Sequence, residues 1–361
     1  MNARSLGLIL VLLAAVRVAA AQSAAPAAAD ARLDRIVSDA MRAQQIPAVT
    51  VAVMTADRLI YSRAFGTADL ENSVPASPET LIRTASIAKP ITAVATMTLV
   101  EAGKLDLDAP VQSYCAAFPP KQWPITTREL LSHTAGIRHY LPGEPEYTRH
   151  YQWMADGFAI FAGDPLLFRP GTAYSYSTYG YTVVGCAIEG ASGARFQDYV
   201  EEHVLRPAGM THTFVDNVFE IVPHRARGYQ KIDGTVKNAG LMDSSYKIPG
   251  GGYVTSAEDL VRFAAALLDG KLVRPATLKE MWTATPVSDK SGYGLGFQLP
   301  EGGRLVMHTG GQSGTSTELL IIPQTHFAVA VLANLEHAEL RDLVRGIVDE
   351  MKQPVPAPVK P

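Results

Sequence analysis

The sequence predicts an α+β protein in which an antiparallel sheet is built from both ends of the chain, with a mainly helical domain inserted between them. Two observations carry this prediction. Residues alternate between apolar and polar, as strands do, at 47–66 and again within 293–334. The intervening chain shows helical spacing and long Pro- and Gly-rich connections, with few alternating runs. Strands at both ends with helices between them favour one sheet assembled from the two termini.

The composition indicates a folded chain with a large core. Of its 361 residues, 47% are apolar, and 32 Lys and Arg stand against 35 Asp and Glu, giving a formal charge of -3. Disordered chains combine low hydrophobicity with high net charge, so disorder over most of the length is excluded. Basic residues are scattered and form no patch or arm, so we expect no nucleic acid partner.

The beginning of the chain has the order of an export signal. Arg4 precedes an apolar run over 6–16, and small residues follow it. We expect residues 1–21 to be a cleaved signal peptide and 22–29 to be a spacer, which makes the mature protein periplasmic or secreted. The run is shorter than the roughly 20 apolar residues that span a bilayer, so no stable membrane span remains after cleavage. An uncleaved anchor is the alternative.

The regular elements can be read in order along the chain. Residues 33–44 have helical spacing, and 47–66 predict two strands joined at Ala56-Asp57. An apolar helix is expected over 86–102, and Thr126 with Glu129 three residues later predicts a capping box. Later elements are a helix at 257–268, strands at 293–299, 304–310, 318–323 and 327–334, and a final helix at 338–351.

These elements divide the chain into regions. We assign residues 30–85 and 246–352 to the sheet domain and 86–245 to the helical domain, and 353–361 form a Pro-rich tail. No internal repeat is present.

Cys115 and Cys186 are the only cysteines in the sequence. In an oxidising compartment they could form one disulfide, but the sequence does not reveal whether the geometry permits it. Cys186 lies in the apolar stretch YTVVGCAIEG, where we favour a buried, unreactive thiol. The chain has neither a C-x-x-C pair nor an H-E-x-x-H motif, so we predict no metal and no cofactor.

Two residue pairs have the S-x-x-K spacing of a serine nucleophile with a lysine partner, Ser86 with Lys89 and Ser244 with Lys247. The spacing alone is weak evidence, because chance yields roughly 0.6 such matches in a chain of this composition. Ser86 lies at the start of the predicted apolar helix, where Pro90 fits the first turn and both side chains would share one face. Ser244 is followed by a proline and three glycines, which stop a helix, so we place it in a loop.

The alternative for the first pair is that Ser86 merely caps the helix and Lys89 is solvated. A lysine at a helix N-terminus lies at the unfavourable end of the helix dipole, which disfavours a purely structural lysine. As a base, Lys89 would need its pKa lowered from about 10.4 to about 7 or 8. Because the dipole is too weak to do this, desolvation must supply most of the shift, and we expect the pair in a covered cleft.

Two further segments carry polar groups suited to this chemistry. The stretch AYSYSTYGY crowds several tyrosines before a helix, where a proton relay and ordinary packing are the alternatives. The strand RLVMHTGG ends in glycines that would let a ligand approach backbone N–H groups, although a plain strand-end turn has the same pattern. The chain has no G-x-S-x-G elbow and no Rossmann layout, so we exclude those folds.

Five motifs in this order resemble the serine β-lactamase-related family, and the match covers about residues 30–350. They are SIAKP, ITTRELLSHTAGI, FRPGTAYSYSTYGY, GGGYVTSAEDLVRFAAALL and HTGG. The family includes class C β-lactamases, D-alanyl-D-alanine carboxypeptidases, esterases and D-aminopeptidases. The segments EAGKLDLDAPVQSY and LLSHTAGIRHY look most similar to its mitochondrial β-lactamase-like branch. The resemblance implies a sheet domain, a helical domain and an active site between them.

The resemblance also implies roles for individual residues in an acyl-transfer reaction. Ser86 would be the nucleophile, Lys89 its base, and Tyr176 the relay of the proton to the leaving group. Backbone N–H groups of Ser86 and Gly311 would form the oxyanion hole. The residues expected to contact the substrate are Thr178, His308, Thr309 and Gly310.

Two departures from the family pattern bear on substrate choice. Thr178 stands where the family has Asn, which puts recognition of amide substrates in question. His308 stands where class C β-lactamases have Lys, so a permanent cation is missing and we rank β-lactam hydrolysis below peptidase or esterase activity. His133, which follows the capped helix, is expected to be structural.

The function expected from the sequence is that of an exported serine hydrolase acting on a D-amino-acid peptide or an ester. The alternatives are a non-catalytic or weakly catalytic penicillin-binding or scaffold protein of the same fold, and a true β-lactamase. The substrate would be a small molecule or a peptide, and the sequence leaves the oligomeric state open.

Overall fold

A computed structural model of the protein describes residues 30–144, 148–288 and 291–351. The predicted signal peptide, spacer and Pro-rich tail lie outside the described residues. The strands are β1 (Ala48–Thr55), β2 (Arg58–Asp69), β3 (Val74–Pro75), β4 (Ile82–Arg83), β5 (Phe214–Val215), β6 (Tyr229–Ile232), β7 (Thr235–Asn238), β8 (Tyr253–Thr255), β9 (Val306–Gln312), β10 (Thr315–Ile322) and β11 (Phe327–Ala333). The α-helices are α1 (30–44), α2 (Ala88–Glu101), α3 (Thr127–Leu131), α4 (Thr178–Ser192), α5 (Phe196–Val200), α6 (Arg206–Ala208), α7 (Ile248–Gly251), α8 (Ala257–Leu268), α9 (Pro275–Met281) and α10 (Arg341–Glu350).

The predicted α+β class is confirmed, because one antiparallel sheet joins the two ends of the chain. Its six strands lie in the order β3-β2-β1-β11-β10-β9, and β1 pairs with β11 along its whole length. Side chains of β1 alternate between the two faces, so Val49, Val51 and Val53 enter one core and Ala52 enters another. Helices α1 and α10 cover the first face, and α8 covers the second.

The helical region is centred on α2, whose residues are buried almost all round. This helix packs against α4 and α7, and α7 is the short turn in the IPGG segment. None of the helices in the described ranges is long and apolar enough to cross a bilayer.

Cys115 and Cys186 form a disulfide, so the expectation of a free buried thiol at Cys186 is wrong. Their Cα atoms lie 5.4 Å apart, within the range that a disulfide requires. The bridge joins α4 to the connection that follows α2, two segments whose proximity depends on helix packing.

Several local predictions differ from the structure. The segment 293–299 is not a strand, because only single bridges such as Tyr293 to Gln298 form there. Gly296 has a φ of +86° and bends the chain against α2, which an extended strand would not do. The final helix is shorter than expected, and α2 begins at Ala88, after a 3₁₀ turn.

Candidate active site

Ser86 lies in a tight 3₁₀ turn, Ala85–Ile87, between β4 and α2. Ala85 has a φ of +45°, an uncommon conformation for a residue other than glycine. The backbone on the preceding side is fixed because the Thr84 N–H donates to the Tyr253 carbonyl at 2.8 Å and the Thr317 hydroxyl donates to the Thr84 carbonyl at 2.9 Å. Strands β8 and β10 therefore hold the turn, which leaves Ser86 partly exposed at the start of a buried helix.

Strand β9 passes directly against this turn, and Gly310 makes the approach possible. A Cβ atom at Gly310 would lie 2.6 Å from the Thr84 carbonyl oxygen and 2.3 Å from Thr317 Oγ1, so any larger residue would push the strand away. The next residue, Gly311, is exposed, and a Cβ there would have no neighbour within 4 Å. The Gly311 backbone therefore borders open space beside the turn that carries Ser86.

Lys89 is fully buried and lies one turn after Ser86. Its Nζ donates to Ser86 Oγ at 3.0 Å and to the Gly250 carbonyl of α7 at 2.9 Å. Burial, reinforced by the positive charge of Lys247, holds the pKa of Lys89 well below its ordinary value. The lysine therefore lies where the sequence analysis required it, in contact with the serine and shielded from water.

Tyr176 is the phenol nearest to this pair. The Lys89 Nζ lies 4.8 Å from the centre of its ring. Burial raises the pKa of Tyr176, and the nearby Ser86 side chain offsets only part of that rise. At neutral pH the phenol is therefore protonated beside a lysine with a lowered pKa, so the amine is the better proton acceptor and the phenol the better donor.

His133 holds the segment that carries Tyr176. The Ser177 N–H donates to His133 Nδ1 at 3.1 Å, and the Ser175 N–H donates to the His133 carbonyl at 2.9 Å. The imidazole also packs on the Tyr176 ring, with 4.3 Å between ring centres. Burial and nearby positive groups keep the pKa of His133 well below its usual range, so the ring is a neutral acceptor. No local pattern indicates this contact, because His133 lies more than forty residues before Tyr176.

Two residues expected to contact the substrate are buried. His308 is 1% exposed; its Nδ1 donates to the Thr309 carbonyl and its Nε2 accepts from the Tyr293 hydroxyl. Burial lowers the pKa of His308 to about 3. Thr178 is 3% exposed, and its backbone N–H donates to His139 Nδ1 at 3.2 Å. Both side chains are buried in the structure, and their expected role in contacting the substrate stays a prediction.

Thr309 and Gly310 are partly exposed on β9, and Gly311 is exposed. The strand edge thus keeps three of the predicted residues at the opening, next to the turn that carries Ser86. The described residues contain no group of three His, Cys, Asp or Glu placed to hold a metal ion.

The second S-x-x-K pair has a different geometry. Ser244 lies outside any helix, but the residues after it form a 3₁₀ turn and then α7, so the prediction that no helix could form there is wrong. The Lys247 Nζ contacts Met242 Sδ at 3.5 Å, whereas Ser244 Oγ is buried without a partner in the described structure. Burial, with the charge of Arg83, lowers the pKa of Lys247 to about 7. The two polar groups of this pair do not meet.

Comparisons with known proteins agree with this description of the fold. The Beta-lactamase family matches residues 33–349. The mitochondrial serine beta-lactamase-like protein LACTB of Homo sapiens is 30% identical over 378 residues, which cover 77% of this chain and 69% of the human protein.

Solved structures with the same fold extend the comparison. The penicillin binding protein from Bacillus halodurans is 26% identical, with a TM-score of 0.74 over 86% of this chain and 98% of that protein. EstCE1, described as a hydrolase with promiscuous acyltransferase activity, is 23% identical, with a TM-score of 0.79 over 90% of this chain and 99% of its own.

Proposed function

Because the chain belongs to the Beta-lactamase family, we propose that it is an exported serine hydrolase that forms an acyl-enzyme on a D-amino-acid peptide or an ester. The observation that carries the proposal is the 3.0 Å contact between Ser86 Oγ and the Nζ of a fully buried lysine. A buried amine with a lowered pKa can accept a proton at neutral pH, which a solvated lysine cannot.

Acylation begins with the side chains of Ser86 and Lys89. Ser86 Oγ attacks the substrate carbonyl carbon while its proton passes to Lys89 Nζ, and the carbonyl oxygen becomes an oxyanion. Backbone N–H groups of Ser86 and Gly311 would donate to this oxyanion, a contribution of about a hundredfold or more in rate for each donor. Gly310 supports this role because it lets β9 approach the serine turn closely.

The leaving group departs with a proton from Tyr176. As the bond from the carbonyl carbon to the leaving nitrogen or oxygen breaks, the phenol gives its proton to that atom and regains one from Lys89. Deacylation reverses these roles: a water molecule loses a proton to the same groups, attacks the acyl carbon, and returns Ser86 to its hydroxyl form. The Tyr176 ring, whose centre lies 4.8 Å from Lys89 Nζ, is close enough to the Ser86–Lys89 pair to support this relay.

The charges around the site support a peptide or an ester over a β-lactam. Class C β-lactamases place a lysine where this chain has His308, and the pKa of this histidine, lowered to about 3, leaves it neutral at pH 7. The substrate carboxylate would thus meet hydroxyl and backbone donors of Thr309 and Gly310 instead of a cation. Similarity to a penicillin binding protein supports a serine that can react with an acyl carbonyl.

Export is supported by the disulfide between Cys115 and Cys186. Disulfides persist in oxidising compartments and are rare where thiols are kept reduced. The leader predicted at residues 1–21 would deliver the chain to the periplasm or the medium.

The proposal is tested by intact-protein mass spectrometry after incubation with a fluorophosphonate or with penicillin. We expect one covalent adduct on the wild-type chain and on Ser244→Ala, and none on Ser86→Ala. Rates on p-nitrophenyl esters, D-alanyl-D-alanine peptides and nitrocefin then identify the substrate class. Absence of an adduct with both probes would favour the non-catalytic scaffold, and nitrocefin as the fastest substrate would overturn our ranking.

A further inference from the structure

A cavity lies on the face of β9 and β10 that is opposite to the Ser86 turn. It has a volume of about 480 Å³, within the range of small-molecule sites, and lies between these strands, α10 and the segment 291–305, with Tyr174 also in its lining. Its apolar surface comes from Met307 and Leu320 of the sheet and from Val344 and Val348 of α10. Ser86, Lys89 and Tyr176 do not line it.

Glu318 on β10 lines this cavity and is 3% exposed. No residue in the described part of the chain donates a hydrogen bond to its carboxylate or forms an ion pair with it. Burial raises the pKa of Glu318 to about 7, although the charge of Arg341 opposes this rise. A buried carboxylate without a donor is costly, and in a native structure such a group calls for an explanation.

Arg341, in the first turn of α10, lines the same cavity. It attracts Glu318 electrostatically, yet the two form no ion pair within 4.0 Å, and within the described ranges Arg341 has no other acceptor. By contrast, the neighbouring Arg345 lies 3.7 Å from Asp342. Two acids and two bases line the cavity, Glu301 and Glu318 with Arg341 and Arg345. Glu301 pairs with Arg304 and Arg345 with Asp342, so among the described residues the buried Glu318 and the exposed Arg341 are the two without a charged partner.

We propose that this cavity binds a small zwitterion with an apolar side chain, that is, an amino acid or a dipeptide. The ligand ammonium would donate to Glu318, the ligand carboxylate would accept from Arg341, and the apolar side chain would lie against Met307 and Val344. Each contact satisfies a group that is otherwise unpaired. The cavity adjoins the proposed hydrolase site, because Tyr293 and Gln298 line it and contact His308 and Thr309, but its test does not depend on Ser86.

The ligand chemistry can be tested by isothermal titration calorimetry of the full chain with free D- and L-leucine. Two probes each lack one charge of leucine: isoamylamine has no carboxylate and 4-methylpentanoate has no ammonium. Glycine lacks the apolar side chain. We expect leucine, of at least one hand, to bind about ten times more tightly than each of these three probes, because each loses a charged or apolar contact.

Variants locate the binding. Glu318→Gln and Arg341→Met are expected to weaken leucine binding about ten- to a hundredfold. Glu339→Gln is the matched control, because it removes an acid that influences Glu318 but does not line the cavity. Glu318→Gln is also expected to raise the melting temperature without ligand, since it removes a buried charge, which separates lost binding from a damaged fold.

The outcomes decide the proposal in either direction. Leucine binding that both cavity variants weaken and Glu339→Gln leaves intact would support it. No leucine binding, leucine binding that neither cavity variant changes, or isoamylamine binding as tightly as leucine would overturn it. None of these results depends on whether Ser86 forms a covalent adduct.

Discussion

Lys89 Nζ lies 3.0 Å from Ser86 Oγ although the lysine side chain is fully buried. Sequence spacing places the two on one face of a helix, but burial of the amine comes from α7, whose Gly250 carbonyl accepts its second hydrogen bond. The same contact that aims the amine at the serine therefore also removes it from water. The site obtains a proton acceptor without a histidine base.

Replacing this lysine should remove the base. We expect Lys89→Met to lower kcat/KM for a p-nitrophenyl ester by about 10² to 10⁴. In the wild type, activity should fall as the pH drops through the lowered pKa of Lys89, because the protonated amine cannot accept the serine proton. The pH dependence of kcat/KM measures both effects, with the exposed Lys104→Met as control. A Lys89→Met enzyme with the wild-type rate would contradict the proposed role.

Replacing Lys247 should stabilise the protein near neutral pH. The pKa of Lys247 is about 7 in the folded chain and about 10.5 when unfolded, so between these values the unfolded chain binds more protons. Burial of Lys247 therefore lowers the wild-type free energy of unfolding by up to about 4 kcal/mol at pH 7, and this loss disappears only as the pH rises above the unfolded pKa. In urea denaturation, the free energy of unfolding of Lys247→Met should be higher than that of the wild type at pH 7. The two values should converge at high pH.

The same variant should change the active-site base. Lys247 lowers the pKa of Lys89 by charge repulsion, so Lys247→Met should move the acid limb of the kcat/KM profile to higher pH. An unchanged profile together with unchanged stability would show that Lys247 is neutral at all pH values tested and that this explanation is wrong.

Tyr176→Phe should distinguish substrates by their leaving groups. A nitrophenolate departs without protonation, whereas an amine must receive a proton as the bond breaks. We expect the variant to lose about 10²-fold or more in kcat on a D-peptide and little on a p-nitrophenyl ester. Tyr174→Phe, on the same segment, is the control. Equal losses on both substrates would place Tyr176 in binding or folding instead of proton transfer.

His133 is expected to position Tyr176 through the Ser177 N–H. His133→Leu leaves that buried N–H without an acceptor, which should cost about 1 to 3 kcal/mol in unfolding free energy and lower kcat more than it raises KM. His133→Asn should recover most of both, because its side-chain oxygen can replace Nδ1 and Asn tolerates the left-handed φ of +60°. Failure of the Asn variant to recover kcat would argue against the positioning role.

The disulfide between Cys115 and Cys186 spans 71 residues. Closing a loop of this length restricts the unfolded chain, and the entropy relation gives about 4 kcal/mol as an upper range for its contribution. The double variant Cys115→Ala, Cys186→Ala should lower the free energy of unfolding by about 2 to 4 kcal/mol in urea denaturation. An unchanged free energy of unfolding would mean that helix packing alone fixes the two segments.

Local patterns predicted much of the fold. The Thr126–Glu129 capping box and the hairpin turn at Ala56-Asp57 are confirmed, and α8 has the predicted bounds, because each depends on residues a few positions apart. The prediction of a strand at 293–299 was wrong because it used only the local alternation of residues. The bend of this segment depends on its contact with α2, which no local pattern reveals. The division into domains at 85/86 and 245/246 stays a prediction.

Local spacing along the chain was enough to pair Ser86 with Lys89 and to predict strands near both ends of the chain. Helical and strand periodicities are visible over only a few residues. Packing between distant segments decided the rest. The Gly250 carbonyl accepts a hydrogen bond from Lys89, 161 positions away in the sequence. The Tyr293 hydroxyl is hydrogen bonded to the buried His308. Cys186 forms a disulfide with Cys115 because α4 packs beside the connection that follows α2. Desolvation and long-range contact have no local pattern, because they depend on which segments exclude water from one another.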